Sequence, residues 1–183
     1  MAETKHVIME RADLGKTIHR MAREIVEKYA SPAELVLIGI RSRGVHLARR
    51  LARKIEEAEK VAPAVATIDV TAYRDDRNPD FDAAAVGEIE IQAAIDAKTV
   101  ILIDDVIFRG RTIRAAMEAV ERIGLPKRIV VAALIDRGAR ELPIRADIVG
   151  KNIDAGDGQR VNVYLEESDG IDQVTLAKWQ EKK

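Results

Sequence analysis

The chain has 183 residues, 47% of them hydrophobic, with 30 basic and 31 acidic side chains and no cysteine. That length supports one sizeable core, so a single domain over residues 1–183 is expected, and the nearly cancelled charge gives no bulk attraction to a polyanion. Lack of cysteine excludes disulfides, thiolate nucleophiles and zinc–thiolate sites, and no apolar run nears the ~20 residues of a membrane helix, so a soluble, cytoplasmic protein with no membrane partner is expected.

In chain order, Ile18, Met21, Ala22, Ile25, Val26 and Tyr29 recur at helical spacing opposite Arg20, Arg23, Glu24 and Lys28, which predicts an amphipathic helix broken at Ser31-Pro32. Leu35 to Ile40 is a continuous apolar run of strand length, the pattern of a strand covered on both faces. A second helix is predicted with Ala48, Leu51, Ala52, Ile55 and Ala58 inward and Arg49, Arg50, Arg53, Glu56 and Glu57 as its wet face. Ala64 to Val70 is the next strand. Residues 71–87 lose any periodic apolar set and gather charge around Tyr73-Arg74-Asp75-Asp76, which predicts a long mobile loop.

Val100 to Ile103 predicts a buried strand, followed by a turn and a helix that buries Ile113, Ala116, Met117, Val120 and Ile123 and stops at Gly124 and Pro126. Ile129 to Ile135 is another buried strand and Val161 to Leu165 a late one. Strands alternating with helices define an α/β fold, a mostly parallel twisted sheet flanked by helices, in which ligands bind at the carboxyl ends of strands. Trp179, in a polar tail, is expected to pack an end against the body or a neighbouring subunit.

The chemistry concentrates at Asp104-Asp105-Val106-Ile107-Phe108-Arg109-Gly110-Arg111-Thr112. Two carboxylates close a buried strand, and the chain then turns through Gly110 into a helix, whose first amides and positive end suit a phosphate monoester. The carboxylates suit vicinal ribose hydroxyls, or a magnesium ion held through water. The plainer alternative is that Asp104 and Asp105 cap the turn or pair with Arg111 and Arg114. Gly39 to Gly44 has Walker-like glycine spacing but continues Val45-His46, and no G-x-G-x-x-G follows a strand, so those two nucleotide motifs fail. His6, His19 and His46 lack metal-ligand spacing, and no histidine metal site is assigned.

The segment Val100 to Thr112 resembles the motif by which type I phosphoribosyltransferases bind PRPP (5-phosphoribosyl-1-diphosphate). With Gly39-Ile40-Arg41-Ser42-Arg43-Gly44, Tyr73-Arg74-Asp75-Asp76, Asp136-Arg137-Gly138, Arg140 to Asp147 and Gly150-Lys151-Asn152, almost the whole chain is similar to the PyrR family. The resemblance implies a type I phosphoribosyltransferase fold with a small hood. It also implies uracil phosphoribosyltransferase activity, attenuation of pyrimidine genes through messenger RNA in response to uridine nucleotides, magnesium carried with PRPP, and a homodimer or homotetramer. Two alternatives stand beside this: a purine phosphoribosyltransferase that shares the PRPP loop, and a non-catalytic RNA regulator whose site senses nucleotides without turning them over.

By the same resemblance Asp104, Asp105 and Arg74 are catalytic. PRPP would meet Arg41, Ser42, Arg43, Gly44, Asp104, Asp105, Val106, Arg109, Gly110, Arg111, Thr112, Asp136 and Arg137. Asp136 has a second reading, as one half of a structural ion pair. The base would meet Lys151, Asn152 and Ile153, and RNA would meet His19, Arg20, Ser42, Arg140, Arg145 and Lys151. The sequence departs from the family pattern at Arg109, where a small hydroxyl residue is usual, at Ala139, where well-known members have histidine, and in the acidic Asp154-Ala155-Gly156-Asp157 beside Lys151.

Overall fold

The computed structural model describes residues 5–29, 31–70, 89–90, 94–156 and 158–178, so the loop expected at 71–87, with Arg74, and Trp179 lie outside the described residues. His6–Met9 forms β1, Arg11–Lys28 α1, Leu35–Ile40 β2, Arg43–Glu59 α2, Ala64–Ile68 β3 and Ile89–Glu90 β4. Thr99–Ile107 forms β5, Arg111–Ile123 α3, Arg128–Asp136 β6, Ile148–Asn152 β7, Gln159–Tyr164 β8, Glu166–Asp169 α4 and Gln173–Lys178 β9.

Strands β3, β2, β5, β6 and β7 lie side by side in that order, all parallel, with β4 antiparallel on the β3 edge. A second, antiparallel sheet of order β1–β9–β8 forms the hood. The alternation of side chains along the central strands explains why these read as unbroken apolar runs. Leu35, Leu37, Ile101 and Ile103 face one core with α1 and α2, whereas Val36, Ile38, Val100 and Leu102 face the other with α3. No helix among the described residues is long and apolar enough to cross a membrane.

Three expectations are corrected. Ala58 is exposed and Ile123 is 43% exposed, because each sits in the last turn of its helix, beyond the edge of the sheet that the helix covers. Arg50 does not belong to a wet face: its guanidinium is largely covered by acids of the hood. Finally, β5 does not turn after Ile103 but runs to Ile107, keeping register with β6 at Asp104↔Ala133, Val106↔Ile135 and Ile107↔Asp136. The strand signal was masked there by the two acids, whose carboxylates accept from local backbone amides and so sit in extended chain at little cost.

α1 reaches the sheet where β7 offers no side chain. A Cβ on Gly150 would lie 2.3 Å from the Leu134 carbonyl oxygen and 2.9 Å from Thr17 Cγ2. Gly150→Ala is therefore expected to force β6 and β7 apart and destabilise the fold by about 2 kcal/mol, measured by urea unfolding.

Candidate active site

The sheet changes winding direction between β2 and β5: from β2 the chain moves outward to β3, and from β5 it moves the other way to β6 and β7. In such sheets a crevice opens at the carboxyl ends of the two diverging strands. The turn Arg41-Ser42 ends β2 there, and Asp104 and Asp105 lie near the end of β5. Two glycines bring them together. A Cβ on Gly39 would lie 2.5 Å from Val45 Cα, and one on Gly44 would lie 2.4 Å from the Ile103 carbonyl oxygen and 3.4 Å from Asp104 Cα. The first turn of α2 therefore rests directly on β5 beside the acids, a seat that only glycine fits.

Asp104 is buried at 8% exposure and Asp105 is half-buried. The Asp105 amide donates to Asp104 Oδ1 at 2.9 Å, and the Val106 amide donates to Asp105 Oδ1 at 3.0 Å, so each carboxylate is oriented through one oxygen. Beyond Phe108 and Arg109 the chain passes through Gly110 at φ 95°, the left-handed region, into α3. The helical ladder begins with the Arg114 amide on the Gly110 carbonyl at 3.0 Å. The amides of Arg111, Thr112 and Ile113 precede that ladder and form the positive end of the helix.

The plainer reading of Arg111 as an ion-pair partner of the strand acids is not what the structure holds. Arg111 meets Glu141 at 2.6 Å, and Arg109 Nε meets the other oxygen of the same carboxylate at 3.1 Å. The Glu141 and Leu142 amides also donate to the Arg109 carbonyl, at 3.1 and 3.2 Å. Arg137 stacks its guanidinium 3.7 Å from the Phe108 ring centroid, and that of Arg109 lies 5.0 Å from the same ring. Glu141, Phe108 and the acids of α4 were not singled out for any role by the sequence; charge next to charge carries no periodic signal.

The other expected residues fall into two groups. Arg41 lies within 3.9 Å of Asp69, and Ser42 is exposed at the turn. Lys151, Asn152 and Ile153 flank the end of β6, Asn152 in register with Asp136 and the Ile153 amide on the Asp136 carbonyl at 2.8 Å. These lie at the same end of the sheet as the acids. Arg43, Asp136 and Arg140 have their side chains engaged within the chain. Arg43 grips Asp169 through two bonds of 3.2 and 2.8 Å. Asp136 accepts from the Gly138 amide at 2.9 Å and pairs with Arg140 at 2.6 Å, so it forms the structural ion pair. Arg140 also donates to the carbonyls of Ile144 at 2.9 Å and Phe108 at 2.7 Å, and so shapes the loop between β6 and β7 from within.

On the α1 side, Arg20 donates to the Val149 and Gly150 carbonyls at 2.8 and 2.7 Å, next to Lys151, whose Nζ reaches the Ile8 carbonyl at 3.3 Å. His19 and Arg145 are exposed. A cavity of about 410 Å³ opens between α1, α2 and α4, but its charges are already matched: Arg11 with Glu166 at 2.6 Å, Arg50 with Asp172 at 2.7 Å, and Lys54 with Glu57 at 2.6 Å.

A five-stranded parallel sheet with paired acids and a glycine turn at its switch point defines the phosphoribosyltransferase class. In agreement, residues 9–166 match the family model described as Phosphoribosyl transferase domain. Solved structures of the same fold include a hypoxanthine-guanine phosphoribosyltransferase from Bacillus anthracis (TM-score 0.71, 18% identity, 97% of this chain and 99% of that one). Another is the hypoxanthine phosphoribosyltransferase of Trypanosoma cruzi (TM-score 0.71, 17% identity, 95% and 97%).

Sequence relatives narrow the class. The chain is 44% identical to the bifunctional protein PyrR of Limosilactobacillus fermentum over 93% of this chain and 97% of the relative. It is 45% identical to that of Chloroflexus aurantiacus over 93% and 94%, and 40% identical to that of Enterococcus faecalis over 97% and 99%. The chain belongs to the PyrR family.

Proposed function

We propose that the chain transfers the phosphoribosyl group of PRPP to uracil, giving uridine monophosphate and diphosphate, and that the same protein binds a pyrimidine-gene messenger RNA in response to uridine nucleotides. One observation carries the enzymatic half: Gly44 seated on the Ile103 carbonyl places the Arg41–Gly44 turn against Asp104 and Asp105, one candidate diphosphate site beside one candidate ribose-phosphate site. The 5′-phosphate is received by the amides of Arg111 to Ile113 and the end of α3, and the ribose hydroxyls by the two acids. The diphosphate meets Arg41 and the backbone of Ser42 to Gly44, Arg43 contributing through its amide since its guanidinium holds Asp169.

In the transfer, N1 of uracil bonds to C1 of the ribose and gives up its proton to water or to the departing diphosphate, while the C1–O bond breaks and its electron pair leaves on diphosphate. Positive charge grows on the ribose as that bond loosens, and the fixed carboxylates of Asp104 and Asp105 stabilise it. The expected magnesium ion fits this site as a passenger of diphosphate. Two strand-end carboxylates are suitable hard donors, and among the described residues no cluster of three or more acids or histidines makes a cage of its own. When bound, magnesium would neutralise the leaving group. Lys151, Asn152 and Ile153 give the base its edge contacts.

The RNA half rests on His19, Arg20, Arg145 and Lys151, with Ser42 exposed at the neighbouring turn and Arg140 shaping the loop that carries Arg145. Specific binding of a pyrimidine-leader stem-loop, lost steeply with salt, is the expected gel-shift result; affinity no better than for random RNA would remove this half.

The enzymatic half is tested by incubating the protein with uracil, PRPP and magnesium, hypoxanthine and guanine being run in parallel. Uridine monophosphate is the expected product, and folded protein that makes none refutes the reading. At 100 times its dissociation constant, uridine monophosphate is also expected to raise stability by about 2.7 kcal/mol, seen as a higher melting temperature.

A further inference from the structure

One carboxylate at the mouth of the α3 turn holds two guanidinium groups. Glu141 binds Arg109 through Nε at 3.1 Å and Arg111 at 2.6 Å, and its own amide is fixed to the Arg109 carbonyl at 3.1 Å. Phe108 supports Arg109 from the side, its ring centroid 5.0 Å from the guanidinium carbon. Two guanidinium groups thus share this one carboxylate immediately before the amides of Arg111 to Ile113. All three side chains are partly exposed, at 39%, 55% and 41% for Arg109, Arg111 and Glu141. Water therefore screens the cluster, and its value lies in where it places charge more than in its own ion-pair energy.

We propose that Glu141 is a positioning residue that holds Arg109 beside the α3 turn, so that this chain meets the 5′-phosphate with a side-chain cation in addition to the backbone amides. A hydroxyl side chain at position 109 would offer a neutral hydrogen bond, whereas a guanidinium offers a charge-assisted one, which is about twice as strong. An untethered arginine would lose much of that gain to the entropy of its own rotamers. The shared carboxylate and the Phe108 ring restrict those rotamers before the ligand arrives.

This inference rests on the phosphoribosyl reading of the site, and a double-mutant cycle on the full-length protein separates the two. The affinities of uridine monophosphate and ribose 5-phosphate are measured by calorimetry for the wild type, Arg109→Thr, Glu141→Gln and the double variant, with magnesium diphosphate as a control ligand. Arg109→Thr is expected to weaken both phosphate monoesters about tenfold and leave diphosphate within twofold, the scale of one charge-assisted bond at a half-exposed position. In the Glu141→Gln background the same substitution is expected to cost less than threefold, because Arg109 is no longer held.

Equal losses in the two backgrounds, or no loss on Arg109→Thr, would overturn the positioning role while leaving the phosphoribosyl site standing. A wild-type protein that binds neither monoester would overturn both. A general folding defect is distinguished because it would weaken diphosphate as well.

Discussion

Replacing Asp104 and Asp105 together by asparagine is expected to lower kcat/KM for PRPP by a factor of about 10²–10³, or ~3–4 kcal/mol of transition-state stabilisation, with little change in melting temperature. The contrast between the two readouts is what makes the experiment informative. Asparagine keeps an oxygen to accept the next amide, at the positions where Asp104 now accepts from Asp105 at 2.9 Å and Asp105 from Val106 at 3.0 Å. The ladder with β6 is then preserved, and the change removes only negative charge. That charge is what the ribose requires as its bond to diphosphate loosens, so the loss falls on kcat more than on KM. An unchanged rate within threefold would show that the acids serve the strand alone.

Arg50→Ala is expected to cost about 3 kcal/mol of stability and lower the melting temperature by roughly 6–12 °C, the hood loosening first. The guanidinium donates to Glu167 Oε1 at 2.8 Å and to the two Asp172 oxygens at 2.9 and 2.7 Å, with the Asp172 side chain only 9% exposed. Truncation leaves that carboxylate covered and without its cation. Burial opposes the charge on Asp172, but the Arg50 guanidinium and the Glu166 amide outweigh it and hold the acid below the usual carboxylate range. The same balance, with Arg43 and the Leu165 amide as donors, holds Asp169 down, and the Arg50 hydrogen bond outweighs desolvation at Glu167. Groups with a depressed folded-state pKa stabilise fully above their unfolded value of ~4 and lose that contribution as pH falls through the folded value. The gap in stability between wild type and Arg50→Ala is therefore expected to be widest near neutral pH and to close below about pH 4, measured by urea unfolding across that range. A gap that does not narrow in acid would mean that Arg50 acts by packing alone.

Much of this was readable from residue order because the central strands are covered on both faces. Leu35 to Ile40, Val100 to Ile103 and Ile129 to Ile135 are strands for the same reason that they are apolar throughout, and the glycine turn after paired acids is what marked the candidate site in the sequence. What escaped was set by partners far away in the chain. β7 carries Gly150 and Lys151 because it fits beneath α1, and β1 and β9 pair with each other 170 residues apart at His6↔Leu176, so neither shows a local period. Arg50 looked like solvent-facing charge since its partners lie 117 and 122 residues downstream, and Glu141 gained its place only when α3 and the β6–β7 loop came together.

The contact of Gly44 on the Ile103 carbonyl has one more result. The span between the two ends of any ligand lying along β2 and β5 is gauged by main chain against main chain, not by side-chain reach. Side chains around that ruler, Arg109 among them, can then change how tightly a ligand is held without changing the measured length.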